Sequence, residues 1–258
     1  MLTFLRTLRR NVINERHVQK YFLYALGEIA LVVIGILIAL QINNWQESKK
    51  ANHLKSGYLE KLITDLKKDT TDLSHWIRIN NWYADEGFYL LSFLENKSFV
   101  LDSLRLKRSL ALTQTGTPFP LNSSTYKDLV SSGNMRLIVD HRFKEMMDNY
   151  YSNSSGTLPI REANRRVLWE YYAHELEKYY DPLLYRQMMK DSKPWQYTGN
   201  PDLSGYFIDW NGMKQSEQLI RYLKVVITHR EMIDINYKTD LDRATEILSY
   251  IELNRNSI

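Results

Sequence analysis

Cysteine is absent from the 258 residues, which removes disulfides, zinc-thiolate sites and a thiol nucleophile. Glycine (10) and proline (6) are too few for the turns of a β-sandwich or barrel, so helices are expected. The six histidines, His17, His53, His75, His141, His174 and His229, are scattered and offer no convergent ligand set. His174-Glu175 is followed by Leu176, Glu177 and Lys178, so the second histidine of the zinc-protease pattern H-E-x-x-H is missing. There is no G-x-S-x-G elbow, phosphate-binding loop or G-x-G-x-x-G fingerprint. Internal repeats and low-complexity tracts are lacking too. These absences point to a non-enzymatic chain with neither cofactor nor metal.

What the chain does have is one long apolar run, residues 22–42, FLYALGEIALVVIGILIALQI, with a single carboxylate at Glu28. A helix needs about 20 mostly apolar residues to cross the hydrocarbon core. At roughly −0.5 kcal/mol for each Leu, Ile, Val or Phe against about +3 for one acid, insertion wins by several kcal/mol. A cleaved signal peptide is the rival reading. It is disfavoured because the run exceeds the usual apolar region of such peptides and is followed by Gln41-Ile42-Asn43-Asn44-Trp45, with no A-x-A-like site. Arg6, Arg9, Arg10, Arg16 and Lys20 precede the run, whereas only Lys49, Lys50 and Lys55 follow closely. The positive-inside rule then leaves the N-terminus in the cytoplasm and exports residues 43–258.

The formal charge of +4 divides unevenly about this span. Removing the five bases and two acids of residues 1–42 from the totals of 34 and 30 leaves 29 against 28, so the exported part is nearly neutral. The pI near 9.0 reflects a short basic arm beside anionic lipid and gives no footing for a nucleic-acid partner. In that arm Leu2, Phe4, Leu5, Leu8, Val12 and Ile13 oppose Arg6, Arg9 and Arg10, as in an amphipathic interfacial helix. Four domains follow from this division: an arm over 1–21, a membrane helix over 22–42, a stalk or first long helix over 43–95 and a periplasmic helical domain over 96–258.

Beyond Trp45 the apolar spacing stays helical, with Leu54, Tyr58, Leu62, Leu66, Leu73, Trp76 or Ile77, and Tyr83 on one stripe. It predicts one helix from about Tyr21 to about Glu95, with a kink possible at Gly57, long enough for a stalk or coiled-coil base. Asp102 caps a helix through about Leu112, and residues 115–120, Thr-Gly-Thr-Pro-Phe-Pro, force a loop. Residues 122–134 read as an N-capped short helix ended by Gly133 in a left-handed cap. Tyr126, Leu129, Met135, Leu137 and Ile138 turn inward there. Asp140 caps a helix through Tyr150 and Tyr151. A long helix from about Pro159 to Met189, kinked at Pro182, buries Trp169, Tyr172, Leu176, Tyr179 or Tyr180, and Leu183. Residues 191–212 form an irregular connection, and Gln215 to about Asn254 closes the chain as a helix.

The segment Tyr24-Ala25-Leu26-Gly27-Glu28-Ile29, the VVIGILIALQINNW run and Gln46-Glu47 resemble a family of single-pass membrane proteins of Bacteroidota built around a domain of unknown function. The family's central Tyr-x-Asp-Leu-x-x-Ser-Gly-Asn segment is similar to residues 126–134, and its Tyr-Tyr pair to Tyr150-Tyr151. The resemblance implies a membrane-anchored helical protein and supplies no catalytic residue.

Candidate sites are therefore contacts. Glu28 shares a helical stripe with Gly35 and Ala39, a small-xxx-small pair, and is expected at a helix-helix contact in the membrane, against the alternative of snorkelling toward headgroups. Trp45 is expected as an interfacial anchor. Trp195, Tyr197, Tyr206, Phe207 and Trp210 lie in the loop region and are candidates for ligand binding. Asp65, Asp69 and Asp72 share one face beside Lys68 and read as a solvated stripe rather than a cation site. The expected partners are membrane lipid and either another copy of the chain or an envelope protein. The expected function is association at the inner membrane. The alternatives are an accessory subunit of an ion-driven envelope complex using Glu28, or a periplasmic sensor signalling through a partner.

Overall fold

The computed structural model describes residues 15–97, 100–116, 121–154, 165–190, 205–255 and 258; the basic arm before Glu15 lies outside them. These residues are mostly helical, with no strand among them and one isolated antiparallel bridge, Tyr180 to Ile208, so the protein is all-α as its composition suggests. The chain divides into two compact units, residues 1–57 and 58–258.

Helix α1 (Glu15–Leu94) runs through both. No proline falls within it, Gly57 is accommodated without a break, and Asn96 beyond its end takes the left-handed conformation (φ 55°) that stops helices. In the first unit every side chain from Lys20 to Lys50 is exposed. In the second unit α1 is central. Residues 58–94, grouped above with a stalk, contribute to each of the four apolar clusters.

The remaining helices of the second unit start where local chemistry starts them. In α2 (Ser103–Leu112) the Asp102 carboxylate accepts from the N–H of Leu104 and of Arg105, and in α4 (His141–Asn153) Asp140 accepts from Phe143 N–H. The helix α3 (Ser124–Ser131) has Ser123 before it but no side-chain cap, so the expected N-cap is absent. Its end is as expected. Gly133 has φ 72°, a 3-10 turn follows (Asn134–Leu137), Leu129 and Ile138 are buried, and Tyr126, Met135 and Leu137 are partly buried.

The long helix expected over 159–189 is broken. A π-helical segment (Arg166–Ala173) runs into His174–Leu176, together α5, and the helix α6 (Leu183–Lys190) begins only after Pro182. Between them Tyr180 pairs with Ile208, and the Asp181 side chain accepts from Leu183 N–H at 2.9 Å. Proline at a helix start forfeits no hydrogen bond, so the chain stops and restarts there instead of kinking. The π geometry adds a residue per turn and re-phases the stripe. Leu168, Tyr172, Leu176 and Tyr180 are buried as a result, while Trp169, expected in the core, is 45% exposed, Leu183 is exposed and Tyr179 half-buried.

Two further helices complete the unit, α7 (Trp210–Gln215), capped by Asp209, and α8 (Glu217–Asn254), capped by Ser216. One core cluster joins Leu90 and Leu94 of α1 to Leu110, Tyr172, Leu176, Leu219 and Leu223. A second joins Leu62 and Leu66 to Phe143, Met147, Tyr150 and Ile247. Each large apolar side chain so buried contributes about 1.5–3 kcal/mol relative to exposure. At Gly87 a Cβ would lie 2.9 Å from Cγ1 of Ile227, so α1 and α8 approach as closely as a glycine permits.

Candidate functional site

Asp69, Glu86 and Arg230 are among the charged side chains buried in the second unit, and each is in phase with the apolar stripe that carries it. Leu62, Leu66, Asp69 and Leu73 follow one another at helical steps on α1. So do Ile79, Tyr83, Glu86 and Leu90, and on α8 Leu223, Ile227, Arg230 and Tyr237. Asp69 is fully buried, Glu86 is 2% exposed and Arg230 3%. A charge brought out of water must find partners, and each of the three finds them differently.

Glu86 is met by opposite charge. Arg105 Nε and Arg108 Nη2 each lie 3.2 Å from Oε1, and the Ser109 hydroxyl donates to Oε2. Arg105 also stacks over Tyr89, 4.1 Å from the ring centre.

Arg230 is met by no carboxylate among the described residues. Its Nη2 donates to the carbonyls of Thr113 (3.2 Å) and Thr115 (2.7 Å), at the C-terminal end of α2, where the helix dipole is negative. Its guanidinium carbon lies 5.0 Å from the Tyr83 ring centre, and Asn80 Nδ2 donates to its backbone carbonyl at 2.7 Å. Burial lowers the Arg230 pKa to about 10 and pushes that of Tyr83 up to about 12. Beside them the Tyr172 and Thr113 hydroxyls share a 2.8 Å hydrogen bond, and Tyr180 donates to Gln114 Oε1 at 2.8 Å.

Asp69 is met by neutral donors. Its Oδ1 accepts from the Asn122 backbone N–H at 3.0 Å and from Asn122 Nδ2, and its Oδ2 accepts from the Tyr150 hydroxyl at 2.9 Å. Lys68 Nζ donates to Asn122 Oδ1 at 3.1 Å, so a surface cation reaches the buried carboxylate only through an amide. Around Asp69 lie the half-buried Asp65, whose Oδ2 is buried and unpartnered, and Tyr151, 8% exposed with an unpartnered hydroxyl. Tyr126 stacks on Tyr151 at 4.5 Å between ring centres and donates to Asp148. Burial, then Asp69 itself, raises the pKa of both Tyr150 and Tyr151. Burial raises that of Asp69, opposed by Asn122 and Tyr150 and reinforced by Asp65. The reading of 65, 69 and 72 as a solvated stripe is thus corrected at Asp69. Among the described residues no group of three or more His, Asp or Glu side chains could hold a metal ion.

The contact residues expected from sequence scatter. Glu28, Gly35 and Ala39 are exposed on α1, with nothing within 4 Å of a Cβ built at Gly35. Trp45 is 65% exposed, with Lys49 Nζ 5.5 Å from its ring centre. Trp195 and Tyr197 lie outside the described residues. The other three loop aromatics divide. Phe207 is 67% exposed, Tyr206 packs on the core, and Trp210, on α7 instead of in a loop, meets Phe93 edge-on at 5.3 Å.

The fold thus defines an all-α protein with one helix, α1, long and apolar enough to cross a membrane among the described residues. The model of a family described as "Family of unknown function (DUF6090)" matches residues 28–160, more than half of the chain, and the chain belongs to that family. No curated protein and no solved structure matches it.

Proposed function

We propose that this is an inner-membrane protein anchored by residues 22–42, with its N-terminus in the cytoplasm and its helical unit in the periplasm, working by association with its own copies or with an envelope partner. The observation that carries this reading is that none of the apolar stretch of α1 is buried within the chain. Thirteen Leu, Ile, Val and Phe side chains left in water would cost far more than the fold could bear, so lipid or another helix must cover them. Glu28, Gly35 and Ala39 lie on one face of that stretch and mark the contact, because small residues let helices approach and an intramembrane acid turns toward a partner. Trp45 anchors the outer interface.

Two measurements test the reading. Alkaline phosphatase fused after Ile258 is active if the C-terminus is periplasmic; activity of a cytoplasm-only reporter there reverses the topology. Cysteines introduced singly into this cysteine-free chain at 28, 35 and 39 cross-link in membranes more strongly than those at 29, 33 and 37. Equal cross-linking on both faces, or none, removes the membrane contact.

A further inference from the structure

We propose that Asp69 is a built-in proton-binding site that fastens α1 to residues 121–123 and to α4, closing more tightly as the surroundings acidify. This inference stands independently of the membrane reading. Its basis is geometric: a fully buried carboxylate reached by three donors, none of them a cation.

The same heavy atoms serve both protonation states. With Asp69 ionised, Oδ1 accepts twice from Asn122 and Oδ2 once from Tyr150. With Asp69 protonated on Oδ2, the two Asn122 bonds stay in place, and at 2.9 Å the Asp69 O–H donates to the phenol oxygen, reversing that bond. No heavy atom has to move for the proton to enter; only the Tyr150 hydroxyl hydrogen has to turn off Oδ2.

The surroundings favour its entry. On α1 the half-buried Asp65 lies one turn away, and Lys68 is held off by Asn122. From α4 come Tyr150 and Tyr151, neutral phenols, with Asp148 turned to Tyr126. From α8 comes the buried Asp240, which lies 3.6 Å from Arg243 and acts on Tyr150. Residues 121–123 bring no charge. Negative charge therefore outnumbers positive, and desolvation penalises the ionised form. Because the folded state binds the proton more tightly than the unfolded chain, stability from this site is full in acid and is lost as pH rises through the folded-state value, which burial holds above that of the unfolded chain.

The test uses the full-length protein in detergent. Infrared spectroscopy should show a protonated carboxyl band whose midpoint lies above that of an exposed aspartate and that is missing from Asp69→Asn. Hydrogen exchange, corrected for intrinsic rates, should show protection of residues 121–126 and of α4 rising as the pH falls through the infrared midpoint in the parent, and flat in the variant. A band that titrates no higher than an exposed aspartate, or an equal pH response in both proteins, overturns the proposal. Should Asp69→Asn fail to fold, Tyr150→Phe serves. It leaves the carboxyl with one donor fewer, so the infrared midpoint must move up, and an unmoved midpoint overturns the proposal as surely.

Discussion

Asp69 and Arg230 are buried charges of opposite sign on the two longest helices among the described residues, α1 and α8, and neither is neutralised by an ion pair among those residues, whereas Glu86 is held by two arginines. The difference lies in what substitutes for the counter-charge. Arg230 takes the carbonyl end of α2 and a tyrosine face, a fixed negative potential that asks nothing of pH across the neutral range. Asp69 takes an amide and a phenol, groups that can accommodate either protonation state. Burial moves both away from their charged forms, but Arg230 releases its proton only near pH 10, while Asp69 takes one up on the acid side. One region is thus a fixed strut and the other a responsive one.

The comparison breaks most sharply at the strut. Arg230→Ala leaves the Thr113 and Thr115 carbonyls without a donor and empties the space beneath Tyr83, and it should cost about 3–5 kcal/mol. Urea unfolding of the full-length protein reads this directly. A loss below about 1 kcal/mol would mean that the dipole of α2 needs no cation. Asp69→Ala should cost less, about 2–4 kcal/mol, because it empties less space and the donors of Asn122 can turn to water. Unlike the Arg230 variant, it should also lose the acid-side gain in stability. If both variants keep the parent's pH profile, the two regions do not differ in their response to pH.

Local chemistry makes much of this fold legible in the sequence: the caps at Asp102 and Asp140, the left-handed turn at Gly133, the unbroken course of α1. What escaped was whatever depends on distant partners. Tyr150 is 81 residues from Asp69, and nothing local announces that its hydroxyl will face a carboxylate. A signal was nevertheless present. Asp69 falls on the stripe of Leu62, Leu66 and Leu73, and Arg230 on that of Leu223, Ile227 and Tyr237, so helical phase marks both as interior, whereas acid spacing alone suggests a solvated face. Trp169 could not be placed by the same rule, because α5 winds as a π-helix and the 3.6-residue period does not apply to it.

The Arg230 region depends on the close pairing of α1 with α8, where Asn80 bonds the Arg230 carbonyl, and Gly87 tests that dependence. Its Cβ in an alanine variant would press on Ile227 at 2.9 Å, forcing the isoleucine aside or the helices apart, at about 1–3 kcal/mol. Gly87→Ala paired with Ile227→Val should recover part of the loss. A pair that is merely additive points to a cause other than this contact.

The smallest effect sharpens the comparison by isolating backbone from burial. Gly133 has φ 72° with nothing within 4 Å of a built Cβ, so a side chain there meets no neighbour and strain alone is at issue. Gly133→Val should cost about 1–2 kcal/mol, since a β-branched residue in the left-handed region crowds its own backbone. Asparagine tolerates that region, as Asn96 with φ 55° demonstrates in this same chain, so Gly133→Asn should cost clearly less. Thermal melts of the two variants separate the explanations: equal losses would assign the effect to exposure or to the unfolded chain, while a larger loss for valine assigns it to the turn. The turn sets where Asn134 places its amide, which donates to the Tyr58 hydroxyl at 2.9 Å. That hydroxyl in turn donates to Asp128 at 3.0 Å, so the strain of valine should also loosen the contact between α1 and the segment that follows α3.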